Sequence, residues 1–114
     1  MESRDEYLIK LIVEYCDDVL AAVRDYDVDL DKVNNSPAIR AMMAFFVMQI
    51  GESARQLSDI FKANHPEMEW KEIIGFRNQI AHVYGRVIPD ILWDTVENDV
   101  PKLRNYCNTI LGKK

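Results

Sequence analysis

Residues 36–48 read Ser-Pro-Ala-Ile-Arg-Ala-Met-Met-Ala-Phe-Phe-Val-Met, and this stretch decides the fold. Ser36 followed by Pro37 is typical of a helix start, because serine caps free backbone N–H groups and proline has none to leave unpaired. From Ala41 to Met48 the stretch then covers slightly more than two turns without a polar side chain. Such a helix must be buried on all sides, so we expect either a central core helix or coverage by a second copy of the chain.

The composition is typical of an all-α protein. The chain has 114 residues, of which 48% are hydrophobic, and only four are glycine and four are proline. Residue types that favour helices are plentiful, and no alternating strand pattern is present. We therefore predict one all-helical domain over residues 1–114.

Capping residues and hydrophobic spacing define the predicted helices. Ser3 with Glu6 forms a capping box at the first helix, and an acidic loop with about one helical turn follows it. His65 lies between helices, where we expect it to be exposed and inert. Gly85 is placed to end the third helix. The four predicted helices span residues 4–25, 37–63, 69–85 and 89 onward, the last kinked or split by Pro101 near Val100.

Charge and cysteine content exclude several classes of protein. The net charge is −5 and the pI about 5.0, whereas proteins that coat nucleic acid non-specifically are basic. A general RNA or DNA coat protein is therefore excluded, but a catalyst with a local cationic pocket is not. Cys16 and Cys107 have no metal-ligand spacing, and two buried thiols are favoured over a disulfide. The charged N-terminus lacks a signal region, and the longest apolar run is too short for a bilayer. We expect a cytoplasmic protein without a membrane partner.

Residues 77–85 read Arg-Asn-Gln-Ile-Ala-His-Val-Tyr-Gly and carry the chemistry. RNA cleavage without a metal needs a base, an acid and cations that stabilise the charged phosphate, and His and Arg supply these. On an ideal helix, however, Arg77 and His82 point about 140° apart. Either the helix distorts near His82, or a second protomer completes the site across a two-fold axis. On residue chemistry alone, a structural role is favoured, with Arg77 paired to Glu72 or Glu52.

The same run resembles the signature of a known family. Arg77-Asn78-x3-His82-x-Tyr84 is similar to the motif of HepT-like proteins, the ribonuclease toxins of the HEPN superfamily. Three further segments resemble that family at the expected spacing, namely residues 49–54 (Gln-Ile-Gly-Glu-Ser-Ala), 65–78 and 91–101.

The resemblance implies an antiparallel, HEPN-like bundle of four to five up-and-down helices that forms a homodimer. It also implies a metal-independent endoribonuclease toxin that needs no cofactor, acts on RNA and is neutralised by a minimal nucleotidyltransferase antitoxin. Arg77 would bind phosphate, His82 would do the acid–base work, and Asn78 would orient His82 or the phosphate. Tyr84 would accept AMP from the antitoxin. Glu52 would either hold Arg77 in position or be an ordinary surface or interhelix acid.

Some features depart from the family pattern or leave alternatives open. Val83 and Gly85 stand where many relatives have a polar and an aromatic residue; neither change removes a catalytic residue type, but we expect them to bear on substrate choice or partner contact. Arg40, Arg55 and Arg86 would extend a basic groove, although each alone is more typical of a solvated surface charge. The alternative functions are a non-catalytic HEPN-type subunit that binds a nucleotidyltransferase, and a purely structural dimeric bundle.

Overall fold

A computed structural model describes residues 2–76 and 88–112, and the secondary structure in these ranges is helical. The prediction of an all-α, HEPN-like helical bundle is therefore confirmed. The elements are α1 (Arg4–Asp25), α2 (Leu30–Asn35), α3 (Pro37–Arg55), α4 (Asp59–Asn64), α5 (Trp70–Ile74), α6 (Pro89–Asp94), a π-helical turn (Thr95–Asp99) and α7 (Val100–Ile110).

The first helix has the predicted bounds because both of its ends are determined locally. Ser3 accepts a hydrogen bond from the Glu6 backbone N–H at 3.1 Å and caps the helix start. At the other end Asp27 adopts a left-handed φ of 49°, and the Val28 N–H donates to the Val23 carbonyl at 2.9 Å. This is the Schellman arrangement, which ends a helix by reversing the chain.

The segment between the first two long helices is more helical than predicted. Residues 30–35 form α2, because Asp29 accepts a hydrogen bond from the Lys32 N–H at 2.9 Å and Val33 is fully buried. Arg40 in α3 donates to the carbonyls of Val33 and Asn34, both at 2.9 Å. These bonds satisfy the last carbonyls of α2 and attach it to the next helix.

The predicted second helix, residues 37–63, is wrong at its C-terminal end. It stops at Arg55, and a separate helix, α4, begins after Ser58. Ser58 accepts from the Phe61 N–H and thus caps α4. Asp5 of α1 accepts hydrogen bonds from both the Ser58 N–H (2.8 Å) and the Ser58 hydroxyl (2.7 Å), so contact with α1 stabilises the break.

The core lies where α3 and α7 pack on either side of α1. Both helices run antiparallel to α1. Arg4 at the start of α1 donates to Gln56 just after α3. Ile110 at the end of α7 lines one cavity with Ser3 at the start of α1, whereas Pro101 at the start of α7 lines another with Arg24 near the end of α1. Cys16 and Cys107 are free, fully buried thiols, as predicted. Burial raises the pKa of Cys107 to about 12 and also raises that of Cys16, so both stay protonated and unreactive at neutral pH.

The last helix is divided at Val100, as predicted from Pro101. The π-helical turn ends at Asp99, and the Val100 N–H donates to the Thr95 carbonyl five residues back. Pro101 has no N–H, so it loses no hydrogen bond where the register changes to α7. Separately, none of the described helices is both long enough and apolar enough to span a bilayer.

Candidate functional site

The predicted catalytic run falls outside the described residues. Arg77, Asn78, His82 and Tyr84 all lie in residues 77–87, which are not among the described residues. The structure describes the chain on both sides of this run and the predicted supporting residue Glu52. These flanking elements define the part of the fold to which the run is attached.

Both flanks of the run are anchored in the core. Phe76, the residue immediately before Arg77, is buried, and so is Ile73 one turn earlier. On the other side, Leu92 in the first turns of α6 is fully buried. Both α5 and α6 contact α3, so the chain enters and leaves the run from helices that share one neighbour.

The helix before the run is shorter than predicted. The spacing predicts one helix from residue 69 to 85, but α5 ends at Ile74, and Gly75 caps it with φ −72° and ψ −9°. Glycine is a poor helix residue because its backbone has the most conformational freedom to lose. A β-carbon at Gly75 would also lie 3.2 Å from the Lys71 carbonyl oxygen. The approach to Arg77 therefore contains a break that the spacing pattern did not indicate.

One side of α3 faces away from the chain's own core, and we call it the outer face. It consists of residues three and four apart that are exposed or half-buried, namely Ala38, Ala41, Phe45, Met48, Glu52 and Arg55. Phe45 is 53% exposed, whereas Met43 and Val47 on the opposite side are fully buried. The expectation that residues 41–48 are buried on all sides is therefore wrong within one chain, and so is the alternative of a central core helix.

Glu52 lies at the polar end of the outer face. Its Oε2 accepts from Arg55 Nε at 3.0 Å and its Oε1 accepts from Arg55 Nη2 at 2.6 Å. The Glu52 side chain is 31% exposed and that of Arg55 is 58% exposed. The hydrogen bonds to Glu52 raise the pKa of Arg55, so the guanidinium stays charged. The two-point contact holds the plane of the carboxylate in a defined orientation.

The predicted basic groove is not assembled from its described members. Arg40 donates to two backbone carbonyls at the end of α2, and Arg55 is paired with Glu52. Arg86, the third candidate, lies outside the described residues. Two of the three arginines thus serve contacts within the chain.

An acidic cavity next to Phe76 was not indicated by the sequence. It has a volume of about 70 Å³ between α5 and the π-helical turn, and Phe76 is part of its wall. Hydrogen bonding to Glu69 raises the pKa of Glu72, and burial, with the nearby Asp94 carboxylate, raises that of Asp99. Helical spacing alone would place Glu69 and Glu72 on one face, but only the fold brings Asp99 to them.

The described part of the chain also has an aromatic cluster around His65. The His65 ring stacks on Phe61 with centroids 4.2 Å apart, and its Nδ1 lies 2.9 Å from the Phe61 carbonyl oxygen. Trp70 Nε1 donates to the His65 carbonyl at 2.9 Å. The prediction that His65 is exposed is therefore wrong: it is half-buried and joins α4 to α5. Within residues 2–76 and 88–112, no three His, Cys, Asp or Glu side chains converge as metal ligands would.

The helical bundle, with an Arg-, His- and Tyr-bearing run attached to it, is the architecture of a HEPN ribonuclease. Comparison with known proteins gives the family: the profile described as "Ribonuclease HepT-like" matches residues 7–110. The chain belongs to this HepT-like ribonuclease family.

Individual relatives agree with this assignment. A Methanocaldococcus jannaschii protein named as a candidate RNase is 32% identical over 93 residues, which cover 82% of this chain and 84% of the relative. A Thermococcus cleftensis protein named as a candidate ribonuclease HepT is 31% identical over 104 residues, 90% of each chain. A candidate RNase of Caldanaerobacter subterraneus subsp. tengcongensis is 29% identical and covers 100% of this chain and 99% of its own length. No solved structure matches the chain.

Proposed function

We propose that this protein is a metal-independent endoribonuclease and the toxin of a toxin–antitoxin system in the cytoplasm. The observation that carries the proposal is the Arg77-Asn78-x3-His82-x-Tyr84 run in a chain of the HepT-like ribonuclease family. Family membership gives the class of reaction, and the run supplies residue types that suit it.

In the proposed reaction the 2′-oxygen of a ribose attacks the adjacent phosphorus. A base takes the 2′-hydroxyl proton, the new O–P bond forms, and the bond from phosphorus to the 5′-oxygen breaks. An acid then protonates the departing 5′-oxygen, and the products are a 2′,3′-cyclic phosphate and a 5′-hydroxyl. His82 acts as base or acid, Arg77 binds the phosphate oxygens, and Asn78 orients His82 or the phosphate.

We further propose that two copies of the chain assemble through the outer face of α3. Phe45 is 53% exposed and is flanked on the same face by alanines and a methionine, so the outer face is a continuous apolar patch and not one exposed side chain. An isologous interface on this face would pack Phe45 against its own copy or its neighbours. A dimer also brings two copies of His82 to one assembly, which supplies a base and an acid at once.

The proposed partner is a minimal nucleotidyltransferase antitoxin that transfers AMP from ATP to the Tyr84 phenol. The phenol oxygen forms a bond to the α-phosphorus, and pyrophosphate leaves. The added phosphate places negative charge two residues from His82, and it would repel RNA phosphate and occupy the cationic site. Glu52 has the supporting role of holding Arg77.

Cleavage of bulk cellular RNA by purified, unmodified protein in EDTA tests the proposal. We expect 2′,3′-cyclic phosphate ends from the parent and at least about a 100-fold slower reaction from His82→Ala and from Arg77→Ala, because each removes an acid–base group or a phosphate ligand. His65→Gln is the matched control, since it changes the other histidine in the chain, and it should cleave like the parent.

Two results would contradict the proposal. One is cleavage that survives in His82→Ala, which would move the reaction to other residues. The other is an intact dimer of unmodified parent that cleaves no RNA, which would favour a non-catalytic subunit that binds a nucleotidyltransferase. Incubation of the same parent and of Tyr84→Phe with ATP and the antitoxin tests the modification, because only the parent should gain the mass of one adenylyl group.

A further inference from the structure

We propose that Arg55 is a positioning residue for RNA cleavage, which acts by holding the Glu52 carboxylate in one orientation. The inference rests on the proposed function, in which Glu52 supports Arg77. Arg55 itself would touch neither the RNA nor the reacting atoms. Nothing in the family signature marks this residue, which follows the matching segment at residues 49–54 directly.

The geometry of the pair is that of a clamp. Arg55 uses two different nitrogens, Nε and Nη2, to donate to the two oxygens of Glu52, at 3.0 and 2.6 Å. Two roughly parallel charge-assisted bonds define the plane of a carboxylate, whereas one bond leaves it free to rotate. Because the residues are three apart on α3, the clamp needs no other element to form.

A carboxylate held in this way can still accept further hydrogen bonds. Its two oxygens offer about four lone-pair sites, and Arg55 takes one on each oxygen. In the proposed function the same carboxylate also binds Arg77. The location of Glu52 also agrees with this role. Glu52 lies on α3, and α3 contacts both α5, which precedes the run in the chain, and α6, which follows it.

Electrostatics argue against the alternative that Arg55 is itself an RNA ligand. Its charge is paired with Glu52 in a chain whose net charge is −5, so a phosphate would have to displace a carboxylate that is already bound. The two roles give different kinetics. A positioning residue acts on kcat through Glu52, whereas a phosphate ligand acts on KM and on salt dependence whether or not Glu52 is present.

The experiment measures kcat and KM for the full-length parent, Arg55→Ala, Arg55→Lys, Glu52→Ala and the Glu52→Ala/Arg55→Ala double variant. The substrate is a synthetic RNA oligomer that contains a site cut by the parent. We expect kcat to fall roughly tenfold in Arg55→Ala with KM nearly unchanged, because Arg77 is then held less precisely. Arg55→Lys should be equally impaired, since lysine keeps the charge but not the two-point contact. The double variant should be no worse than Glu52→Ala.

Arg24→Ala is the matched control, because Arg24 is an exposed arginine paired with Asp25 on α1, and it should cleave like the parent. A parent that cuts RNA while Arg55→Ala keeps its kcat would overturn the positioning role and leave the proposed function intact. A full rescue by lysine, or additive losses in the double variant, would also overturn it. A parent that cuts no RNA overturns the proposed function and the positioning role with it.

Discussion

The two sides of α3 are built from the same residue types but have different surroundings. On the inner side, Met43, Val47 and Ile50 are fully buried against the rest of the chain. On the outer side, Phe45 is half exposed and is followed, two turns later, by the Glu52–Arg55 pair. Sequence alone does not distinguish the two sides, because methionine, alanine and phenylalanine occur throughout residues 41–48.

The difference indicates that hydrophobicity on this helix serves two purposes. The inner side stabilises the fold of one chain, since burial of each large side chain contributes about 1.5–3 kcal/mol. The outer side contributes little to that fold, and its apolar surface is available for a second copy. A substitution on each side should therefore affect a different equilibrium, folding on the inner side and association on the outer side.

The largest effect is expected from truncation on the inner side. Met43→Ala should lower the free energy of unfolding by about 2–5 kcal/mol, because it leaves a cavity in a packed core. Urea denaturation at fixed protein concentration measures this. Met42→Ala is the matched control, because Met42 is the adjacent methionine and is only half-buried. This variant should lose clearly less unfolding free energy than Met43→Ala. Equal losses of unfolding free energy in the two variants would contradict the prediction that the difference in burial between Met43 and Met42 sets their contribution to the fold.

A smaller effect is expected from a substitution on the outer side, and it should change self-association instead of the free energy of unfolding. Phe45→Glu should weaken self-association by about 2 kcal/mol or more, roughly 30-fold in Kd, because it removes an apolar anchor and opposes like charges across a two-fold axis. The unfolding free energy of the monomer should change by less than about 0.5 kcal/mol. Sedimentation velocity over a range of concentrations measures the association.

Ile60→Glu is the control for this prediction, since Ile60 is 75% exposed on α4 and lies off the outer face. It should leave association unchanged. A parent that is monomeric at every concentration would refute the proposed role of the outer face, and so would a Phe45→Glu protein that associates as tightly as the parent.

Features of the fold could be predicted from the sequence where their causes are local. The start of α1 depends on Ser3 and Glu6, three residues apart, and the division of the last helix depends on Pro101. The break between α3 and α4 also has a local signal, because Ser58 caps α4 by accepting from the Phe61 N–H, but the spacing of apolar residues through this segment concealed it. It is stabilised by the bonds from Ser58 to Asp5, which lies 53 residues earlier in the chain.

The same distinction applies to the candidate site. The run from Arg77 to Tyr84 was recognised from spacing within one segment, and the family comparison supports the ribonuclease class. The acidic cavity was missed because Asp99 meets Glu69 and Glu72 only after the last helix folds back onto α5. Glu52 was identified by resemblance, whereas its clamp with Arg55 became evident only from the side-chain geometry.

The smallest effect should come from a position that touches neither side of α3. Asp27 has a φ of 49° at the end of α1, a left-handed conformation that strains residues with a β-carbon. Asp27→Gly should therefore raise the free energy of unfolding by about 0.5–1 kcal/mol, because glycine adopts this conformation at little cost. Asp27→Ala removes the carboxylate but keeps the β-carbon, so a similar gain from alanine would attribute the effect to charge and not to the backbone. Self-association should be unchanged in both Asp27 variants, because neither alters α3. Their unfolding free energies therefore show how far stability can change in this chain without an effect on association.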